Sequence, residues 1–362
     1  MSSGCWRSLW KCWVRRLDSS FRRALLGWFE ASRRDLPWRE TTEFYRVWIS
    51  EIMLQQTRVE AVIPYYLRFL ERFPTVEALA AASVPEVLSA WSGLGYYSRA
   101  RQLHGAARQV AEHGWPATHR EIAALPGVGP YTSAAIASIV LGLPHAAVDG
   151  NVIRVVSRLT NDAAESSSSN ARLRFTQVAQ ELLDPERPGD FNQAMMELGA
   201  TVCKPGVPLC GVCPVEVFCA ARAAGTEREL PVRLKKPKAR EVPLELVVFL
   251  RVGGEGRQKV CQEVCQEVCQ EVYMVQRGAG ESRLAGFWEL PEKKRFPRLR
   301  GRFLAEFTHQ IVNDRFRVKV LLSSGKPVLR EGRWVPVDGF DGLPLTTISR
   351  KALIHAGKVF PV

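Results

Sequence analysis

Between Asp18 and about Ala224 the apolar residues recur three and four positions apart, as in Val87, Leu88, Trp91 and Leu94. That is the period of a helix with one buried face. Start signals fall where the pattern needs them. Thr75, Ser83 and Thr118 are N-cap types, and Glu86 and Glu121 follow Ser83 and Thr118 at the spacing of a capping box. Interruptions come at Leu36-Pro37, at Gly93-Leu94-Gly95, at Pro126-Gly127-Val128-Gly129-Pro130 and at Pro185 to Gly189. No convincing strand run occurs in this half, so an all-α domain is predicted over 18–228. A Pro- and Lys-rich stretch follows, and 229–243 reads as a linker. Beyond it the period changes. Leu244–Val252, Val272–Arg277, Phe316–Ser323 and Gly332–Val337 are β-rich runs divided by Gly and Pro, so 244–362 is predicted to be a strand-dominated α+β domain.

Two segments stand apart from this division. From Val260 to Glu271 the tetrapeptide Val-Cys-Gln-Glu occurs three times. Either the three thiols line one helical face as a metal site, or a tandem duplication lengthens a hairpin loop. A fourth ligand is missing, so duplication is the expected reading. The tail 1–17 is basic and Trp-rich, as an alternative start, a targeting segment or a DNA-touching arm would be.

Fifty Lys and Arg against 37 Asp and Glu give a net charge of +13, which favours a polyanionic partner, either nucleic acid or an acidic membrane surface. The longest apolar stretch, Ala134 to Leu143, is too short to cross a bilayer, so a soluble, cytoplasmic protein is expected. Nine cysteines without a signal peptide argue against a secreted disulfide scaffold. Four of them, Cys203, Cys210, Cys213 and Cys219, are spaced x6, x2 and x5, close enough for an all-thiolate, four-ligand metal centre. Structural zinc normally uses two separated Cys-x2-Cys turns, and only one such pair exists here. Four soft ligands in so short a stretch suit an iron–sulfur cubane better.

The remaining chemistry is carried by a Gly turn and two acids. Leu125 to Thr132 joins two predicted helices through Gly127-Val128-Gly129, a turn whose backbone N–H groups and following helix N-terminus face outward and suit a phosphate. Downstream lies Val148-Asp149-Gly150-Asn151-Val152-Ile153-Arg154. The other acid, Glu51, shares a helix with Trp48, Ile52 and Leu54, apolar surroundings for a carboxylate without a task.

The cysteine spacing at the end of an all-α domain resembles the endonuclease III/MutY branch of the helix-hairpin-helix glycosylases. The segment around Asp149 is similar to the one by which those enzymes present a catalytic aspartate. Ile52-Met53-Leu54-Gln55-Gln56-Thr57, Leu36-Pro37-Trp38-Arg39 and Gly93 to Ala100 resemble MutY landmarks in the same order. The resemblance implies a multidomain protein: a helix-hairpin-helix glycosylase domain with a structural [4Fe–4S] cluster on loop 203–219, then a reduced Nudix/MutT-like domain. In the second domain Leu284 to Pro291 is similar to the Gly-x-Trp-Glu-x-Pro segment of that fold, and Leu345 to Leu353 to its C-terminal end. The Glu-rich metal-binding helix is missing, so no pyrophosphohydrolase activity is expected.

The implied activity is removal of adenine mispaired with 8-oxoguanine or guanine in double-stranded DNA. Adenine leaves poorly unless a ring nitrogen gains a proton, and a carboxylic acid in an apolar pocket can hold that proton near neutrality. By the resemblance Glu51 is this acid. Asp149, ionised, stabilises the oxocarbenium-like sugar, and Tyr131 and Asn151 orient Asp149. The base must leave the stack. Leu54, Gln56 and Thr57 then contact the DNA where it left, Tyr96 wedges beside the opposite base, and Gly127, Val128 and Gly129 hold a phosphate. Trp38, Arg39 and Gln193 line the adenine pocket. Phe307, Thr308 and His309 stand where relatives inspect 8-oxoguanine with a loop. The lyase branch of the superfamily carries a lysine where this chain has Tyr131, so a monofunctional enzyme is expected. A monomer associated with a bacterial nucleoid completes the expectation. The alternatives are an endonuclease III-like glycosylase/lyase for other lesions and a non-catalytic iron–sulfur DNA-binding protein.

Overall fold

The computed structural model describes residues 19–234, 239–252, 270–278, 284–311, 313–327 and 329–356. The N-terminal tail lies outside them, as does the Val-Cys-Gln-Glu repeat apart from Gln270 and Glu271, which open a strand. The helices in chain order are α1 (Ser19–Ser32), α2 (Phe44–Leu54), α3 (Val59–Arg72), α4 (Val76–Ala81), α5 (Val84–Ala90), α6 (Ser98–His113), α7 (His119–Ala124), α8 (Pro130–Leu141), α9 (Gly150–Leu159), α10 (Ser169–Leu182), α11 (Pro188–Thr201), α12 (Ala220–Ala224) and α13 (Thr347–Ala356). The strands are β1 (Arg240–Val252), β2 (Gln270–Gln276), β3 (Trp288–Glu289), β4 (Arg302–Ile311), β5 (Asp314–Ser323) and β6 (Gly332–Pro336). Contacts divide the chain into 1–80 with 105–235, and 81–104 with 236–362.

The helices form for the reasons the sequence announces. Both capping boxes form, with Ser83 and Thr118 accepting from the backbone of Glu86 and Glu121 and receiving the glutamate side chains in return. Phe21, Leu25 and Phe29 recur four residues apart along α1, so all three fall on one stripe. They pack with Val155, Val156 and Leu159 of α9, Phe175 of α10, and Phe191 and Leu198 of α11. Each side chain buried this completely is worth roughly 1.5–3 kcal/mol. Helix α2 has nine of its 11 residues buried, so it runs through the interior and takes Glu51 with it.

The second unit holds a sheet ordered β3-β2-β1-β5-β4, with β6 paired to β2. Strand β1 runs parallel to β5 and antiparallel to β2. Its Leu-Glu-Leu-Val-Val-Phe-Leu run is almost continuously apolar because both faces are covered. Leu246 and Val248 face Ala352, Leu353 and Ala356 of α13, while Val247 and Phe249 lie in a second cluster with Tyr273, Val275 and Trp334.

Two predicted boundaries are corrected. Residues 240–243, read as linker, belong to β1, because Arg240 to Pro243 pair with Asp314 to Arg317 of β5. Residues 81–104, read as part of the helical domain, group with the sheet. Within that unit the Tyr97 ring meets Phe287 at a tilt with ring centroids 4.2 Å apart, Arg101 donates to the Ala285 carbonyl, and Arg350 donates to Ser92. Strand β4 was not anticipated. Its exposure alternates from Ala305 to Ile311, but the start of the strand breaks the pattern at a bulge between Phe303 and Ala305.

Candidate active site

Three local structures bring the polar groups together. Helix α2 delivers Glu51, which is 5% exposed. The turn 125–129 feeds α8, whose second residue is Tyr131; Gly127 has φ +78°, a left-handed conformation that a side chain resists. Asp149 caps α9, its Oδ1 accepting from the amides of Asn151 and Val152 at 2.9 and 2.8 Å.

The Tyr131 hydroxyl donates to Glu51 Oε2 at 2.9 Å and contacts Met196 Sδ at 3.0 Å. Burial pushes the Glu51 carboxyl from its ordinary 4.5 to about 7; the Tyr131 bond opposes the rise, the Asp149 charge adds to it and Arg39 opposes it. Burial also raises Asp149, against four restraining influences: the Val152 amide, the Asn151 side chain, the Asn151 amide and the Arg154 charge. Both acids act on the Tyr131 phenol, whose own pKa burial drives well upward. The site therefore holds one carboxyl that is half protonated near neutrality beside a second that accepts three hydrogen bonds.

Asn151 orients Asp149, donating from Nδ2 to Oδ2 at 2.8 Å. Tyr131, expected to do the same, bonds Glu51 instead, because the three contacts on Asp149 come from Asn151 and Val152. Sequence reading missed what stands behind Asn151. Buried Arg154 donates to Asn151 Oδ1 at 2.8 Å and to the carbonyls of Gly199 and Cys203, both at 2.7 Å. An arginine one helical turn after Asn151 was the available signal. A Cβ added at Gly199 would lie 2.7 Å from the Asn151 Cβ and 3.1 Å from its carbonyl oxygen. Gly199→Ala is accordingly expected to lower stability by about 1–3 kcal/mol, and to slow catalysis further by displacing Asn151. Thermal unfolding and single-turnover rates at a temperature where the variant remains folded measure the two effects separately.

Of the expected pocket residues, Trp38 is buried and meets Tyr66 edge-on at 5.4 Å. Arg39 donates to Glu197 at 2.8 Å, and Gln193 is half-buried on α11. Buried Glu197 and its second partner, Arg34, were not anticipated. Glu197 follows Gln193 by one helical turn, and that spacing was the only sequence signal.

Among the DNA-facing candidates, Gln56 and Tyr96 occupy exposed turns, whereas Val128 is buried and Leu54, Thr57, Gly127 and Gly129 are half-buried. Gln56 is exposed with φ +57°, after the end of α2 at Leu54, and the Thr57 amide closes that turn on the Leu54 carbonyl at 3.2 Å. In the second unit Tyr96 is 48% exposed with φ +49°. The buried Arg99 lies against both its ring and that of Trp91. Two bulky left-handed residues at exposed turns are costly and need a reason. Phe307, Thr308 and His309 lie inside strand β4, not on a loop, paired with Val318, Arg317 and Phe316 of β5. Phe307 stacks on His355, Thr308 is exposed, and His309 Nδ1 is 3.3 Å from Lys351 Nζ.

Cys203, Cys210, Cys213 and Cys219 are free thiols lining one cavity, together with Arg158. Arg158, 2% exposed, donates to Cys203 Sγ at 3.2 Å and to the Lys204 carbonyl at 2.8 Å. Burial pushes Cys213 up to about 12 and raises Cys210 and Cys219. Four sulfurs beside a buried cation form a donor set suited to a negatively charged, all-thiolate centre. Among the described residues, no three His, Cys, Asp or Glu side chains are placed to hold a single metal ion. Arg222, which follows the last of the four cysteines, is paired with Glu216 at 2.8 Å and Glu227 at 3.5 Å.

Residues 49–181 match the family of HhH-GPD superfamily base excision DNA repair proteins. The chain is 48% identical to the adenine DNA glycosylase of Homo sapiens over 224 residues, covering 59% of this chain and 41% of that one. With the adenine DNA glycosylase of Buchnera aphidicola subsp. Acyrthosiphon pisum the identity is 32% over 233 residues, covering 63% and 67%. A solved thermostable thymine-DNA glycosylase shares 28% identity and superposes with a TM-score of 0.53, covering 58% of this chain and 98% of that one. The chain spans about two fifths of the length of the mammalian relatives and two thirds of the bacterial one. No helix among the described residues is long and apolar enough to cross a membrane. With 32% identity reaching across two thirds of a relative's length, the chain belongs to the adenine DNA glycosylase family of the HhH-GPD superfamily.

Proposed function

We propose that the chain is a monofunctional DNA glycosylase that flips adenine from a mispair with 8-oxoguanine or guanine and excises it, acting as a monomer on chromosomal DNA in the cytoplasm. The single observation that carries this reading is the buried Glu51, raised to about 7 and hydrogen-bonded to Tyr131, with Asp149 acting on the same phenol. In this mechanism Glu51 gives a proton to the departing adenine. Asp149 stabilises positive charge at C1′, and water completes the hydrolysis. Tyr131 offers no amine, so no Schiff base forms and the strand stays intact.

The test is base release from duplexes carrying each mispair. Adenine should leave opposite 8-oxoguanine, strand cleavage should require added alkali, and borohydride should trap nothing. Spontaneous strand cleavage with a borohydride-trapped adduct would instead favour the lyase alternative.

The four cysteines would hold a [4Fe–4S] cluster, with Arg158 offsetting its charge; the cluster's contribution is structural, bracing loop 203–219. The sheet domain is proposed to be a reduced Nudix-like module that reads 8-oxoguanine through β4. Thr308 presents its hydroxyl from the exposed face of that strand and is the residue to test. Thr308→Val should cut the preference for 8-oxoguanine over guanine opposite adenine by about five- to tenfold, the worth of one hydrogen bond. The ratio of the two single-turnover rate constants measures it.

A further inference from the structure

We propose that Glu197 is a positioning residue for the general acid: by locking the guanidiniums of Arg34 and Arg39, it fixes and neutralises the Arg39 cation whose charge acts on Glu51. The inference rests on the reading of Glu51 as that acid.

Glu197 is 1% exposed and accepts four hydrogen bonds. Its Oε1 takes the Arg34 amide at 3.2 Å and Arg34 Nε at 2.8 Å; its Oε2 takes Arg34 Nη2 at 2.9 Å and Arg39 Nη2 at 2.8 Å. Arg39 is secured again by a bond from Nη1 to the Arg34 carbonyl at 3.0 Å. Burial alone would raise the Glu197 carboxyl, but the two arginines bring it down to about 2, so it is ionised at every working pH.

The helix connects this clamp to the chemistry. Gln193, Met196 and Glu197 share one face of α11 by their spacing, and the Met196 sulfur meets the same Tyr131 hydroxyl that bonds Glu51. The groups acting on Glu51 are Tyr131 of α8, Asp149 at the cap of α9 and Arg39 of the turn at 37–39. Those facing the clamp are Arg34, Arg39 and Glu60 of α3, whose Oε1 is 3.8 Å from Arg34 Nη1. Arg39 thus bonds Glu197 directly and acts on Glu51 through its charge. Without Glu197, its full charge would favour the ionised form of Glu51 and remove the proton that adenine needs. A buried ion pair of this kind is poor evidence for stability, which leaves room for a functional reason to keep it.

The test is the pH profile of single-turnover adenine release for the wild-type protein, Glu197→Gln, Glu197→Asp and Arg39→Gln. The wild-type rate should fall as pH rises through about 7, where Glu51 loses its proton. Glu197→Gln should move that midpoint down by about one pH unit, and Arg39→Gln should move it up by a similar amount. Glu197→Asp, which keeps the charge, should restore it. Opposite shifts from the two neutralising substitutions are beyond a merely structural role, which would scale the rate equally at all pH values. If Glu197→Gln does not fold, the upward shift in Arg39→Gln decides. Midpoints that stay with the wild type in both variants overturn the role of Glu197 and leave the general acid standing. A wild-type profile with no limb near neutrality overturns the general acid itself.

Discussion

Glu51→Gln is expected to bind mispaired DNA as tightly as the wild type and to release adenine roughly a thousandfold more slowly, within the range of a lost general acid. The substitution is close to isosteric, and the amide oxygen can still accept the Tyr131 hydroxyl at the position of Oε2. What disappears is the exchangeable proton. The same variant should also be more stable in mild alkali. Glu51 has a folded-state pKa of about 7 against an ordinary 4.5, so folding holds a proton that the unfolded chain releases. Below pH 4.5 both states are protonated and the group costs nothing. As pH rises from there through 7 stability is lost, to a limit of about 3 kcal/mol at 1.36 kcal/mol per unit. Glutamine removes that dependence. Denaturant midpoints at pH 6 and pH 8 for the two proteins measure it, and equal pH slopes would contradict a raised Glu51.

The second large effect belongs to Asp149, which combines a structural and a chemical task. As the cap of α9 it satisfies the amides of Asn151 and Val152; as a charge it faces the sugar in the proposed reaction. The two tasks separate by substitution. Asp149→Asn keeps a good capping side chain and should leave stability nearly unchanged, while the rate falls by about a hundred- to a thousandfold. Asp149→Ala loses the cap as well and should cost about 1 kcal/mol of stability in addition. Thermal unfolding beside single-turnover kinetics distinguishes them. Equal stability of the two variants would mean that the cap contributes nothing.

These substitutions show which parts of the site the sequence discloses. Local interactions are legible when residue type and spacing decide them. The capping boxes at Ser83 and Thr118, the Gly127 turn and the grouping of the four cysteines all depend on neighbours a few positions away. Glu51 was legible because a carboxylate in the midst of an apolar helix violates the pattern around it. Strand β4 was missed although Ala305 to Ile311 alternate in exposure, since none of those residues is fully buried and a bulge between Phe303 and Ala305 breaks the pattern at its start. The three residues expected on a loop were displaced into that strand by pairing with β5.

By itself the sequence determined the two-part organisation, the helices with their caps and the close spacing of the four thiols, because each rests on periodicity or short spacing; the roles expected of Glu51 and Asp149 came from resemblance to a family. The tertiary structure decided partnership. It gave the Tyr131 proton to Glu51 instead of Asp149, set Arg154 behind Asn151, joined Glu197 to two arginines more than 150 positions away, and grouped 81–104 with the sheet. Such pairings depend on which helix faces meet, and no local spacing along the chain encodes that.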